Sequence, residues 1–272
     1  MPPRVIAVEH RKMENAMFSM SPLLLGAALT VIAGVAITPA MGADAPQKTV
    51  VLVHGAFADG SSWSKVIPLL EAKGLRVVAV QNPLSSLAAD ADAANRIIDM
   101  APGPVILVGH SWGGQVISQA GVNEKVKALV YVAAFALPKG QSVNSASAGG
   151  PPAPWLAELE PDAAGYVRLS DKAVATYFAQ DLPPADIAVV AATQGPTFGG
   201  AFDDKLGEAA YLTRPSWYVV ATKDGMIPPP VQEAMAAGIK AKATEIEGSH
   251  VVMLSQPEAV ANVILEAANS VE

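Results

Sequence analysis

Ser111 stands in the string Gly109-His110-Ser111-Trp112-Gly113, between the apolar run Val105 to Val108 and a stretch that carries Val116 and Ile117 at helical spacing. A buried strand running into a helix requires a sharp turn between them. Gly-x-Ser-x-Gly at that turn is the spacing of a nucleophile elbow, in which the serine takes a strained backbone conformation and small neighbours relieve the crowding. The hydroxyl then projects above the sheet edge. A helix N-terminus supplies free amides and a partial positive charge beside it, which suits acyl transfer through an oxyanion.

A serine nucleophile needs a base. The chain has four histidines. His10 lies in the N-terminal segment, His54 ends the first strand, and His110 adjoins the serine, where an elbow turns its side chain away from the hydroxyl. His250, in "EIEGSHVVML" after the last strand, is delivered to the same sheet edge as Ser111, because parallel strands all end there. The third member should be a carboxylate that holds the imidazole tautomer. Asp224, in "VVATKDGMIPP" directly after a strand at 216–222, fits that place, with Asp203 and Asp204 as alternatives. An oxyanion hole needs two N–H donors. We assign them to the amides of Trp112 and of Ala56 in "HGAFADGSSW", with Phe57 as the alternative to Ala56.

These residues need a frame to bring them together. Strand-like runs at 48–55, 75–80, 104–109, 126–135, 216–222 and 242–248 alternate with helical patterns at 61–74, 89–100 and 256–268, the last with Pro257 in its first turn. Apolar strands alternating with helices predict a doubly wound, mainly parallel sheet with helices on both faces. The alternation fails between about 137 and 212, far longer than an ordinary connection. We read that span as a small helical cap over the C-terminal edge of the sheet, with helical pieces at 170–180 and 183–195 and a loose stretch around "PTFGGAFDD". Its Gly and Pro density suggests mobility that would admit substrate. A pocket under such a cap should be mostly apolar. We place Phe57, Trp155, Phe198, Met226 and Val251 in it.

Composition bounds the function. Arg4, Arg11 and Lys12 precede the apolar run "PLLLGAALTVIAGVAI" and a small-residue zone, the layout of a secretory signal cleaved after Ala43. The expected organisation is a signal peptide at 1–43 and one catalytic domain at 44–272, periplasmic or secreted, with no membrane anchor after cleavage. The run is short for a span of roughly 20 residues. The remaining chain carries 15 basic and 23 acidic residues, which argues against nucleic acid as a partner. No cysteine is present, so disulfides, thiolate nucleophiles and cysteine metal sites are excluded. No cofactor and no metal are expected; the expected partner is a small ester.

The stretches "VVLVHGAFADGSSW", "LVGHSWGG", "ATKDGMIPP" and "EGSHVVMLSQPEAVA" resemble the small α/β-hydrolases, the group that includes plant methyl-ester esterases, hydroxynitrile lyases and bacterial carboxylesterases of the pyrethroid-hydrolase type. The likeness runs from about 48 to 270 and is weakest in the cap. It implies six parallel strands, the chain order nucleophile, acid, base seen here as Ser111, Asp224, His250, and ester hydrolysis through an acyl-enzyme. The alternatives on this fold are a lyase, a perhydrolase, or a non-catalytic small-molecule binder. Hydroxynitrile lyases of this group carry threonine where Gly55 stands and lysine where Val251 stands. This chain lacks that cation for departing cyanide.

Overall fold

Val50 to Val53 and Val105 to Val108 have no exposed surface, as strands covered on two faces require. The computed structural model describes residues 47–150 and 152–271. The expected signal segment, 1–43, lies outside them. In chain order the first half comprises β1 (Thr49–Val53), α1 (Ile67–Glu71), β2 (Arg76–Ala79), α2 (Leu87–Asp99), β3 (Val105–His110), α3 (Gly113–Ala120) and β4 (Val126–Val132). Then come α4 (Val143–Ser147), β5 (Leu159–Pro161), β6 (Tyr166–Leu169), α5 (Asp171–Ala173), α6 (Pro184–Ala192) and β7 (Thr197–Phe198). The chain closes with β8 (Ser216–Ala221), α7 (Pro229–Gly238), β9 (Lys242–Ile246), α8 (Val252–Ser255) and α9 (Pro257–Asn269).

Six strands form one parallel sheet in the order β2-β1-β3-β4-β8-β9. Helix α9 lies on β3, β4 and β8 and packs with α1; α2 packs with α3, which lies on β1 and β3. Because all six strands are parallel, the loops after β1, β3, β8 and β9 open at one edge. That edge receives His54–Gly60, Ser111, Asp224 and His250. No helix of the described residues is long and apolar enough to cross a membrane.

Two local expectations are corrected. The helix expected over 61–74 is a 3-10 turn, Gly60–Trp63, capped by the Asp59 carboxylate, followed by α1. Pro68, with no N–H to donate, starts the second piece. The cap also contains a three-stranded antiparallel sheet, β5-β6-β7, besides its short helices. A tight turn makes the β5-β6 hairpin: Asp162 Oδ1 accepts the amides of Ala164 and Tyr166, and Gly165 takes φ +85°. The stretch around "PTFGGAFDD" is β7 followed by a 3-10 turn, Gly199–Asp203. Strands of two to four residues are too short to show alternation in sequence.

Candidate active site

Ser111 follows β3 directly and has φ +53°. A non-glycine residue there stores roughly 1–3 kcal/mol, which surrounding contacts must hold in place. Its amide donates to Val132 O, and its carbonyl accepts the amides of Gly114 and Phe135. The flanking glycines answer to close backbone approach. A Cβ at Gly109 would stand 2.4 Å from Gly113 O, and one at Gly113 would stand 2.7 Å from Val53 O. Phe57, after β1, and Ala133, after β4, also have positive φ, at 58° and 45°. Three strained residues thus gather at the ends of three neighbouring strands, where functional strain concentrates.

Asp224 and His250 meet below this edge. His250 Nδ1 lies 2.7 Å from Asp224 Oδ2, and both side chains are buried. The carboxylate is fully engaged: Oδ1 accepts the amides of Met226 (2.7 Å) and Ile227 (3.0 Å), and Oδ2 also accepts Gln232 Nε2 (2.8 Å). An acceptor at that place assigns the proton to His250 Nδ1 and leaves Nε2 with a lone pair. Among the described residues, neither Nε2 nor Ser111 Oγ has a hydrogen-bond partner. Asp203 and Asp204 are occupied elsewhere, by Asn144 Nδ2 and the Leu87 amide.

The other two described histidines support the frame. His54 Nδ1 donates to Gly55 O and Nε2 accepts the Asn82 amide. His110 Nε2 donates 2.9 Å to the carbonyl of His250, so the residue beside the serine anchors the backbone of the base. Burial lowers the pKa of both, that of His110 well below the usual histidine range, and the nearby His250 lowers it further. Both are therefore neutral at neutral pH.

For an oxyanion, the Phe57 amide is taken, since it donates to Thr197 Oγ1 at 3.2 Å. The amides of Ala56 and Trp112 donate to no protein group among the described residues. Around them stands an aromatic cluster. Phe57 meets Trp155 at 6.3 Å and Phe202 at 6.2 Å between ring centres, and Phe202 meets Trp112 at 5.6 Å. Trp155 Nε1 donates to Met226 O, tying this cluster to the Asp224 loop.

One expected pocket residue is placed differently. Phe198 packs on Tyr166 in the cap sheet, and Phe202 takes the position beside the site. The reason is strand alternation: on β7, Thr197 faces the Phe57 loop, so Phe198 faces the other side. Val251 is fully buried and lines a cavity of about 150 Å³ with Phe178, Leu254 and Val190.

Sequence reasoning also missed Gln232 and Asp90. Gln232 is buried, accepts the Ala221 amide and donates to both Asp224 Oδ2 and Ile227 O. Asp90, in α2, is buried; Oδ2 accepts Trp112 Nε1 at 2.8 Å and Oδ1 accepts the Leu84 amide at 2.8 Å. Neither has a motif, since each reaches its partner only through the fold.

Burial raises the Asp90 carboxyl to a pKa of about 6, against the opposing pull of its two hydrogen bonds. The unfolded carboxyl titrates near 4, so between about pH 4 and 6 the folded chain binds the extra proton. Stability from this group is present at low pH and falls as pH rises toward 6, by about 3 kcal/mol in all. Urea unfolding of the wild type and Asp90→Asn at pH 4 and pH 7 should show that difference narrowing in the variant. Parallel pH curves would refute it.

A family model described as the alpha/beta hydrolase family matches residues 50–263. Among curated proteins, the chain is 30% identical over 263 residues to salicylic acid-binding protein 2 of Nicotiana tabacum, covering 82% of this chain and 97% of that one. It is 28% identical over 251 residues to pyrethroid hydrolase of Sphingobium wenxiniae, covering 81% and 88%. Among solved structures, polyneuridine aldehyde esterase superposes with a TM-score of 0.72 at 23% identity, over 82% of this chain and 99% of that one.

Proposed function

Because this chain belongs to the alpha/beta hydrolase family, we propose that it is an exported serine esterase, cleaving carboxylic esters of small, largely apolar substrates. Ser111 Oγ attacks the carbonyl carbon while His250 Nε2 takes its proton. The oxyanion sits on the amides of Ala56 and Trp112, and His250 returns the proton to the departing alkoxide. Water, deprotonated by the same nitrogen, then releases the acid and restores the serine. Asp224 fixes the tautomer throughout. The observation that carries this reading is the buried Asp224–His250 hydrogen bond, with His250 Nε2 left unpartnered, at the edge where Ser111 is held at positive φ. Names of relatives that span most of the chain, pyrethroid hydrolase and the putative methylesterase 11 of Arabidopsis thaliana, support ester chemistry.

The space around Gly55 speaks against a lyase with threonine at that position. A side chain at Gly55 would begin 2.7 Å from Ser111 Cβ and 3.0 Å from His110 Nδ1, so a threonine there needs the loop to move.

The test is labelling with a fluorophosphonate, which must tag Ser111 in a periplasmic or secreted chain beginning at Asp44. A chain left unlabelled, or labelled elsewhere, overturns the mechanism. A cap of this length, rich in Gly, Ala and Pro, should enclose only a small pocket, which sets a second expectation on p-nitrophenyl esters. Each added methylene helps by up to ~0.8 kcal/mol until the pocket is full, after which crowding reverses the trend. Thus kcat/KM should rise from acetate to butyrate or hexanoate and fall by dodecanoate. A steady rise through palmitate would overturn the small-pocket reading.

A further inference from the structure

Four nearly consecutive cap residues touch the loops that carry the acid and the base. Val174–Phe178 is a single π-helical turn after α5, closed by the Ala179 amide donating to Val174 O at 2.8 Å. Such turns recur at functional sites. The Tyr177 backbone lies against Gly225, where a Cβ would stand 2.7 Å from Tyr177 O. The Phe178 ring packs on the His250 ring at 5.1 Å between centres. Gln180 Nε2 donates to Lys223 O at 2.6 Å, and Asp181 Oδ2 accepts the Ser249 amide at 2.7 Å. Lys223 precedes Asp224, and Ser249 precedes His250.

We infer that Tyr177–Asp181 is a clasp: Gln180 and Asp181 are positioning residues that hold the acid loop and the base loop at one separation. The inference rests on the esterase reading for its effect on rate, though not for its effect on geometry. Within the loops, Asp224 is fixed by Met226, Ile227 and Gln232, and the His250 carbonyl by His110. The clasp ties each loop from outside at the residue before the functional one. The two loops also meet directly, the Lys223 amide donating to Gly248 O at 3.0 Å, and the clasp adds a third segment that braces each of them from the cap side. This segment of the cap is then part of the machinery that aligns the proton transfer, in contrast to the mobile entrance suggested by the Gly and Pro content of 137–212.

Loss of the clasp should loosen the Asp224–His250 alignment and slow the chemical step more than it weakens binding. Misplacement by about 1 Å costs on the order of 10²-fold in rate. The test compares wild type, Gln180→Ala/Asp181→Ala, Asp181→Ala and Asp181→Asn. Steady-state kinetics on p-nitrophenyl butyrate are read beside the downfield proton NMR signal of His250 Nδ1–H, assigned by its loss in His250→Ala. The double variant should keep KM within threefold, lose roughly 10- to 100-fold in kcat, and show that signal broadened or lost. Asp181→Asn, which retains an oxygen for the Ser249 amide, should recover most of the kcat that Asp181→Ala loses. A double variant with kcat within twofold and an unchanged signal overturns the clasp. So does an effect confined to KM, or an Asp181→Asn as impaired as Asp181→Ala. If the double variant does not fold, the two Asp181 variants carry the same comparison. A wild type that turns over no ester defeats the esterase reading, while the NMR comparison still decides the clasp.

Discussion

Ser111→Ala should hydrolyse p-nitrophenyl butyrate roughly 10⁵- to 10⁶-fold more slowly than the wild-type chain, with a melting temperature little changed. The size follows from how the site works as a unit: without Oγ there is no acyl-enzyme, and the base has nothing to activate but water. A residual rate should survive, because on the proposed mechanism the variant keeps the amides of Ala56 and Trp112 for the oxyanion and the aromatic cluster of Phe57, Phe202 and Trp112 for the substrate. Stability should hold because alanine keeps the Cβ and the same φ of +53°, and the bonds that fix this turn are made by the Ser111 backbone. Circular dichroism and thermal unfolding check the fold, and single-turnover assays check the loss. Activity within tenfold of wild type would place the nucleophile elsewhere.

That elbow is legible in the amino-acid sequence because its reasons are local. Gly109 and Gly113 are glycine because backbone atoms four residues away or on the adjoining strand occupy the space of a Cβ, and such positions leave a fixed spacing in the chain. The four central strands are legible for a similar reason, since burial on two faces demands apolar runs, whereas the edge strands β2 and β9 are partly exposed. Asp224 and His250 can be chosen because parallel strands bring every C-terminal end to one edge. What stays hidden depends on parity and reach. Phe198 and Phe202 both sit in a glycine-rich stretch, and only the two-residue strand β7 decides that Thr197 faces the site and Phe198 does not. Asp90 reaches Trp112 across 22 positions, and Asp181 reaches Ser249 across 68. No periodicity spans such distances. The span 137–212 is the hardest part to read, because its strands are short and several of its contacts, such as Gln180 with Lys223 and Asp181 with Ser249, reach distant loops.

Asp224→Asn should lower kcat by roughly 10³- to 10⁴-fold, the second largest expected effect, although the change replaces one oxygen by a nitrogen of nearly the same size. Four donors surround the carboxylate: the amides of Met226 and Ile227 at Oδ1, and Gln232 Nε2 and His250 Nδ1 at Oδ2. An asparagine has only one oxygen to offer them. If it faces Met226 and Ile227, its NH₂ points at His250 Nδ1, which must then present a lone pair. The ring proton moves to Nε2, the atom that should accept the serine proton, and the base is lost. Gln232 Nε2 meets a second donor in the same place, though it keeps its bond to Ile227 O. The opposite flip restores the His250 bond but leaves two buried backbone amides against an NH₂, a penalty of about 1–3 kcal/mol for each unsatisfied group. The first orientation leaves fewer donors unpaired and should dominate, so the loss falls on kcat with KM nearly unchanged. Proton NMR should show the His250 Nδ1–H signal gone, and thermal unfolding should show a folded chain. A variant that keeps that signal and turns over within tenfold of wild type would mean that Asp224 does not set the tautomer, and the acid would have to be sought elsewhere.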